Sequence, residues 1–191
     1  MSLRPVRTAL SLLVAFTLLL GVAYPLLVTG IARLAFPDAS SGSLVYRNGE
    51  LVGSRLIGQA FHDPGHFWGR PSATTPPPYN GLASNGSNLG PLNPALLDSV
   101  TANARALRAA DPGNDRPIPV DLVTASASGL DPEISVAAAL YQAHRIATVR
   151  HLPVGVVERL ITAHTQRPLL GVLGEARVNV LELNLALDAG R

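Results

Sequence analysis

Apolar residues follow two different patterns along this chain. Between positions 8 and 32 no charged residue occurs, and the 25 positions are dense in Leu, Val, Ala and Phe. As a helix rising 1.5 Å per residue, that run is about 37 Å long, enough for a hydrocarbon core of roughly 30 Å with some tilt. A cleaved secretory signal is the rival reading. Its apolar region is normally about 7–15 residues and ends at a small-residue cleavage site. The run here is longer, and Ile31-Ala32-Arg33-Leu34-Ala35-Phe36 offers no such site. The pattern therefore predicts a membrane-spanning helix over 8–32. Pro25 lies near its far end, where it kinks a helix without breaking the span. Arg4, Arg7 and the amino terminus flank one end, and Arg33 with nearby Asp38 the other. The positive-inside rule then puts a short tail, 1–7, in the cytoplasm and everything from Arg33 onward outside.

Past a Ser- and Gly-rich linker, 33–42, the apolar runs become short and periodic. Residues 43–54 read as two strands around Asn48-Gly49, a dipeptide that accepts positive φ at both central positions of a type I′ turn. Residues 56–61 offer a further strand. The stretch 62–94 is crowded with Pro, Gly, Asn and Ser, and reads as a long loop ordered by function or by a partner. Asn93-Pro94 opens a helix carrying Leu96, Val100, Ala104 and Leu107 to about Ala110. Residues 111–119 read as a turn and 119–125 as a buried strand. Asp131-Pro132-Glu133 has the features of a second helix start, running to about Arg150. Pro153 begins another helix that ends near Gln166. For 177–188, Leu and Val recur at both helical and strand spacing, and helix is the preferred reading. The expected class is α+β: one N-terminal transmembrane helix, then a single mixed extracytoplasmic domain, 43–191, with a β-hairpin, a long ordered loop and three to four helices.

Composition narrows the chemistry. Only 15% of residues are charged and 47% are hydrophobic, with a mean hydropathy of +0.26. The net charge of +2 is too small to suggest nucleic acid. All 15 basic residues are Arg, so Schiff bases and the phosphate-binding lysine of a Walker loop are excluded. The absence of Cys excludes disulfides, thiolate metal sites and thiol nucleophiles. His62 and His66 flank Asp63-Pro64-Gly65, which forbids the helix on which their spacing would matter as a metal pair, so both are expected as surface-loop residues. His144, His151 and His164 are scattered over predicted helices, in packing or solvation roles. No Gly-x-Ser-x-Gly elbow supports a hydrolase. The Gly- and Asn-rich loop 81–90 lacks the end of a phosphate cradle. Gln142 and Arg145 share one helix face, and the bland reading is that this polar face is solvated.

Several motifs stand in a fixed order: Gly69-Arg-Pro-Ser-Ala73, Ser87-Asn-Leu-Gly-Pro91 with Asn93-Pro94, and Pro119-Val-Asp-Leu-Val-Thr-Ala-Ser126. They continue with Ser128-Gly-Leu-Asp-Pro132, Gln142-x-x-Arg145 and Val178-Asn-Val-Leu-x-Leu-Asn184. Together with the anchor they resemble the C subunit of the Kdp-type potassium-transporting ATPase. Asn85 and Ala127 stand where that family usually has glycine, and Glu133 where it has histidine; Asn85 tolerates positive φ better than most residues. The resemblance implies a non-catalytic accessory subunit of a potassium uptake complex in the cell (inner) membrane. Its implied partners are a potassium-channel-like subunit, a P-type ATPase subunit that holds the catalytic site, and a small membrane subunit. It implies a chaperone-like helper that raises the ATPase subunit's affinity for ATP. Gln142, with Arg145, is the position that would carry a nucleotide contact, and Arg70, Ser87, Asn88, Asn93 and Asp131 are candidates for a partner interface. No tightly bound cofactor is implied, ATP alone being a candidate. A stand-alone anchored solute-binding module is the alternative.

Overall fold

The computed structural model describes residues 3–190, which divide between Leu44 and Val45 into two compact units. Met1, Ser2 and Arg191, and with them the amino terminus of the expected tail, lie outside the described residues.

In the first unit, α1 (Arg4–Leu18), a π-helical turn (Leu19–Ala23) and α2 (Tyr24–Ala35) run on as one 32-residue helix. It is long and apolar enough to cross a membrane, and none of its residues is buried. Such a helix is consistent with single-pass anchoring. Pro25 cannot donate a backbone hydrogen bond, and its ring crowds the carbonyl one turn back. The π-turn sits just ahead of it, where the Tyr24 amide reaches back five residues to the Leu19 carbonyl. One extra residue per turn makes room for the ring, so the helix passes Pro25 unbroken. The hydroxyls of Thr8 and Ser11 donate to the carbonyls of Arg4 and Arg7, four residues back. Helix extends through most of the expected linker, and after Phe36 comes a short helix, α3 (Pro37–Ser40).

The hairpin of β1 (Leu44–Arg47) and β2 (Glu50–Ser54) begins at the boundary and, from Val45 on, opens the second unit. Asn48 and Gly49 both have positive φ, 53° and 84°, as the type I′ turn requires. Residues 58–93 follow as an irregular stretch without helix or strand. Then come α4 (Pro94–Ala110), a 3₁₀ turn (Val120–Leu122), β3 (Glu133–Ser135), α5 (Val136–Arg150), α6 (Val154–Ala163), β4 (Thr165–Gln166), β5 (Arg177–Asn179) and α7 (Val180–Ala189). The three-stranded sheet is antiparallel in the order β3-β5-β4, with Val178 of the middle strand opposite both Ile134 and Thr165. Helix α5 is the centre of the core. Ala138, Ala139, Ala143 and Ala147 let neighbouring elements approach closely, and Ile146 packs with Phe67, Ile134, Val157, Ile161, Val178 and Leu183.

Four expected elements take different forms, in three of them with a hydrogen bond to a group outside the segment. Residues 56–61 form no strand beyond an isolated bridge of Ile57 to Ser54; instead the Gly58 amide donates to the Leu130 carbonyl. Residues 119–125 contain the 3₁₀ turn rather than a strand. Leu122 and Val123 are buried, but Asp121 turns outward and accepts from the Ser135 amide at 2.7 Å. Asp131 caps no helix. Its two oxygens accept from the Glu133 amide and from Arg70, which frees Glu133–Ser135 to pair with β5, and the helix is capped instead by Ser135, which accepts from the Ala138 amide. Residues 177–188 hold both a strand and a helix, divided at Asn179, whose side chain accepts from the Glu182 amide. Asn93, by contrast, caps α4 as expected. The helix after Pro153 ends at Ala163, and Thr165–Gln166 joins the sheet.

Candidate functional site

The most ordered polar cluster surrounds Gln142 and Arg145, and it lies inside the molecule. Gln142 is 1% exposed and Arg145 3% exposed, so the expected solvated face is a buried one. The Gln142 Oε1 accepts from the Trp68 amide at 2.8 Å and from Arg145 Nη2 at 2.7 Å. Its Nε2 donates to the carbonyls of Trp68 and Ala138. Every hydrogen-bonding position of the side chain is thereby filled. One residue along, Asn184 on α7 treats Phe67 the same way: Oδ1 accepts from its amide at 2.8 Å and Nδ2 donates to its carbonyl at 3.0 Å. Two side-chain amides thus stand in for the neighbouring strand that the extended segment at Phe67-Trp68 lacks.

Two arginines complete this clamp. Arg145 donates to the carbonyls of Pro64 and His66 and lies over the Trp68 ring, 4.4 Å from its centroid. Burial lowers its pKa to about 10, against the opposing pull of Asp111 and Asp63, so it remains cationic at neutral pH. Arg150 reaches the Gly65 carbonyl at 2.6 Å and Asp188 at 2.7 Å. Asp188 also accepts from Arg47 and His66. Burial pushes its carboxyl upward, but the hydrogen bonds from Arg150, Arg47 and His66 prevail and hold it at about 2. His66 is therefore no free surface residue: it bonds Asp188 and stacks on Phe61. Asn184 and Arg150 were missed as clamp residues in the sequence. A lone Asn among Leu181, Leu183 and Leu187 was the available signal, since a buried amide demands partners.

The expected interface residues do not gather in one place of equal character. Arg70 and Asp131 form a half-buried ion pair at 3.1 Å. Around it Ser72 donates to the Gly129 carbonyl and accepts from the Tyr79 amide, while the Tyr79 hydroxyl donates to the Arg70 carbonyl. Burial, with a smaller contribution from Asp131 and opposed by Arg70, raises the Tyr79 pKa to about 12. Gly129 has φ 67°, and a Cβ there would stand 2.6 Å from the Asn85 carbonyl oxygen, so three loop segments cross at a point that only glycine fits. Ser87, Asn88 and Asn93 are exposed. The left-handed residue of that loop is Asn88, with φ 53°, and not Asn85, whose amide donates to the Ser128 carbonyl. Glu133 bonds Arg177 at 2.7 Å. On this frame the loop raises Leu82 and Leu92, 99% and 96% exposed.

The remaining histidines are separate: His144 bonds Asp111, His164 bonds the Leu160 carbonyl, and His151 ends α5 in a left-handed conformation. Among the described residues no group of three or more His, Asp or Glu could hold a metal ion. A groove of 270 Å³ between Phe61, Trp68, Tyr79, Leu107 and Leu122 is the aromatic one. A wider one, 510 Å³, is walled by Arg70, Asp121, Asp131, Glu133 and Arg177, four of which are joined in ion pairs.

The chain is thus an apolar helix long enough to cross a membrane, followed by an α+β unit whose buried polar groups hold its own loops. Its relatives are specific. The family model "K+-transporting ATPase, c chain" matches residues 6–189. A potassium-transporting ATPase KdpC subunit of Polaromonas naphthalenivorans is 67% identical over 96% of this chain and 93% of its own length. Those of Variovorax paradoxus and Ralstonia nicotianae are 64% and 61% identical, over 96% and 95% of this chain and 95% and 89% of theirs. The chain belongs to the KdpC family.

Proposed function

We propose that this chain is a non-catalytic accessory subunit of an ATP-driven potassium uptake complex, holding the other subunits together from outside the cell membrane. Its partners in this reading are a potassium-channel-like subunit, a P-type ATPase subunit and a small membrane subunit, as the family relationship implies. The amino terminus is cytoplasmic and the domain extracytoplasmic. The observation that carries the reading is the loop over 80–93. It is tied down through Asn85, Ser84 and Ser128 yet holds Leu82 and Leu92 almost wholly in solvent. Ordered exposed leucines on a hydrogen-bonded frame suit a protein interface. A lone apolar helix without intramembrane charge offers no path for an ion, so conduction belongs to the partners.

An influence on ATP affinity reaches the ATPase subunit as coupling between sites rather than through a nucleotide held at Gln142. The four filled hydrogen-bonding positions of Gln142 support this, because a nucleotide there would have to displace Trp68 or Arg145. The alternative solute-binding module is less well supported: the 510 Å³ groove is large enough for a small ligand, but its charged walls Arg70, Asp131, Glu133 and Arg177 are already joined to one another in ion pairs.

Affinity purification of the tagged full chain from membranes of potassium-starved cells in mild detergent tests the proposal. Recovery with a P-type ATPase and a channel-like protein is expected, and Leu82→Asp with Leu92→Asp should abolish it while the domain stays folded. Recovery of the wild-type chain alone, where those partners are expressed, would reject the accessory reading. Nucleotide binding to the isolated chain that is lost in Gln142→Ala without loss of stability would reject the coupling.

A further inference from the structure

Between β4 and β5 the chain makes a tight loop that displays more aliphatic surface than any turn needs. Leu169, Leu170, Val172 and Leu173 are 58–84% exposed within five consecutive positions. The loop is well organised. The amides of Leu169 and Leu173 donate to each other's carbonyls at 2.9 and 3.0 Å, Gly171 donates to Pro168, and Val172 to Leu169. Leu170 is left-handed, φ 55°, a conformation that leucine adopts reluctantly. It is flanked by the exposed Arg167, and Arg177 stands at the base of β5; no charge falls between Arg167 and Glu175.

We propose that this loop inserts its leucines and valine into the headgroup boundary of the bilayer, giving the domain a second, shallow membrane contact. Three observations choose lipid as the occupant. Four of the amides that a pairing strand from another protein would need, those of Leu169, Gly171, Val172 and Leu173, are already bonded within the loop, which suits an apolar medium. The exposed Arg167, two positions before Leu169, can meet a lipid phosphate while the apolar tip lies deeper; Arg177, at the base of β5, is held by Glu133. The tether keeps the membrane near. Residues 36–43 separate the apolar helix from β1 and reach no more than about 27 Å, while a domain of this size has a radius of gyration of about 15 Å. The proposal rests on the helix Arg4–Ala35 spanning the bilayer, and not on the identity of any partner subunit.

Because the chain has no cysteine, single labels are simple to place. The full chain is reconstituted alone in nanodiscs of phosphatidylethanolamine and phosphatidylglycerol, with an environment-sensitive fluorophore on Leu170→Cys, and in separate samples on Val172→Cys, Leu82→Cys and Val14→Cys. At 170 and 172 the emission should shift to the blue, and nitroxide-bearing lipids should quench it about twofold or more, with aqueous iodide nearly without effect. Replacing Leu169 and Leu173 by Asp should return the label to water. Position 82 should be open to iodide. A label at 170 as open to iodide as that at 82 overturns the proposal. So does one shielded from both quenchers, which marks a protein contact such as a second copy. A label at Val14 that lipid nitroxides fail to quench overturns the spanning helix and the loop's insertion with it, whereas lipid quenching at 14 with none at 170 overturns the insertion alone.

Discussion

The apolar helix Arg4–Ala35 and the clamped segment around Phe67-Trp68 solve the same problem in opposite ways. Each must satisfy its backbone groups away from bulk water. The helix does so with itself, residue by residue, and even Thr8 and Ser11 fold their hydroxyls back one turn. The clamped segment has no helix or strand of its own and borrows donors and acceptors from Gln142, Arg145, Arg150 and Asn184, between 74 and 117 positions away for the two amides. Redundancy follows from the first arrangement and fragility from the second. Twenty-five uncharged, mostly apolar positions share the task of partitioning, whereas each clamp side chain serves backbone groups that nothing else reaches.

Gln142→Ala is therefore expected to be the most damaging small change. It leaves the Trp68 amide and carbonyl without partners in a buried site and removes one bond from a buried cation, a loss of about 3 kcal/mol or more. Chemical denaturation of the full chain in detergent measures it; an unchanged midpoint would break the contrast. A charge in the helix should look harmless beside it. Val14→Asp costs about 3 kcal/mol of insertion, yet the remaining apolar residues outweigh that, and the variant should still sediment with alkali-washed membranes. Its release into the soluble fraction would show that the helix lacks the assumed redundancy.

Asn184→Ala should cost about 2 kcal/mol for the Phe67 amide and carbonyl. Combined with Gln142→Ala, the loss should fall short of the sum, because both act on one segment. Strict additivity would mean that Phe67 and Trp68 are held independently. Removing a local cap has a smaller effect: Asn93→Ala at the start of α4 should cost about 1 kcal/mol, since the exposed amides there can turn to water. The smallest expected effect is a matter of pH. Asp188 has a carboxyl held at about 2 by Arg150, Arg47 and His66, below its value in the unfolded chain. Its stabilisation is present above the unfolded pKa and is lost as pH falls through that of the folded protein, between about 4 and 2. Asp188→Asn should flatten stability over that acidic window and leave its slope near neutrality unchanged.

Local chemistry was legible in the chain. The apolar run, the Asn48-Gly49 turn and the Asn93-Pro94 helix start each depend on residues within a few positions, and all three are found as the pattern implied. Asp131 shows where such reading stops: Asp-Pro-Glu has the chemistry of a helix start, but Arg70 and the Glu133 amide claim both carboxylate oxygens. Gln142 and Arg145 shared a helix face as the spacing required, yet the sequence could not tell water from the backbone of Trp68 as their partner.

What the sequence determined by itself, then, was every feature whose energy is settled within one helical turn or one hairpin: the helix able to span a bilayer, the hairpin, and the order of motifs that marks the family. Tertiary structure alone decided which polar groups are buried, because burial depends on what the fold brings opposite a side chain. It turned Gln142, Arg145, Arg150 and Asn184 from a polar stripe and a lone amide into the frame of a loop, and it left Leu82, Leu92 and the leucines of 169–173 facing outward.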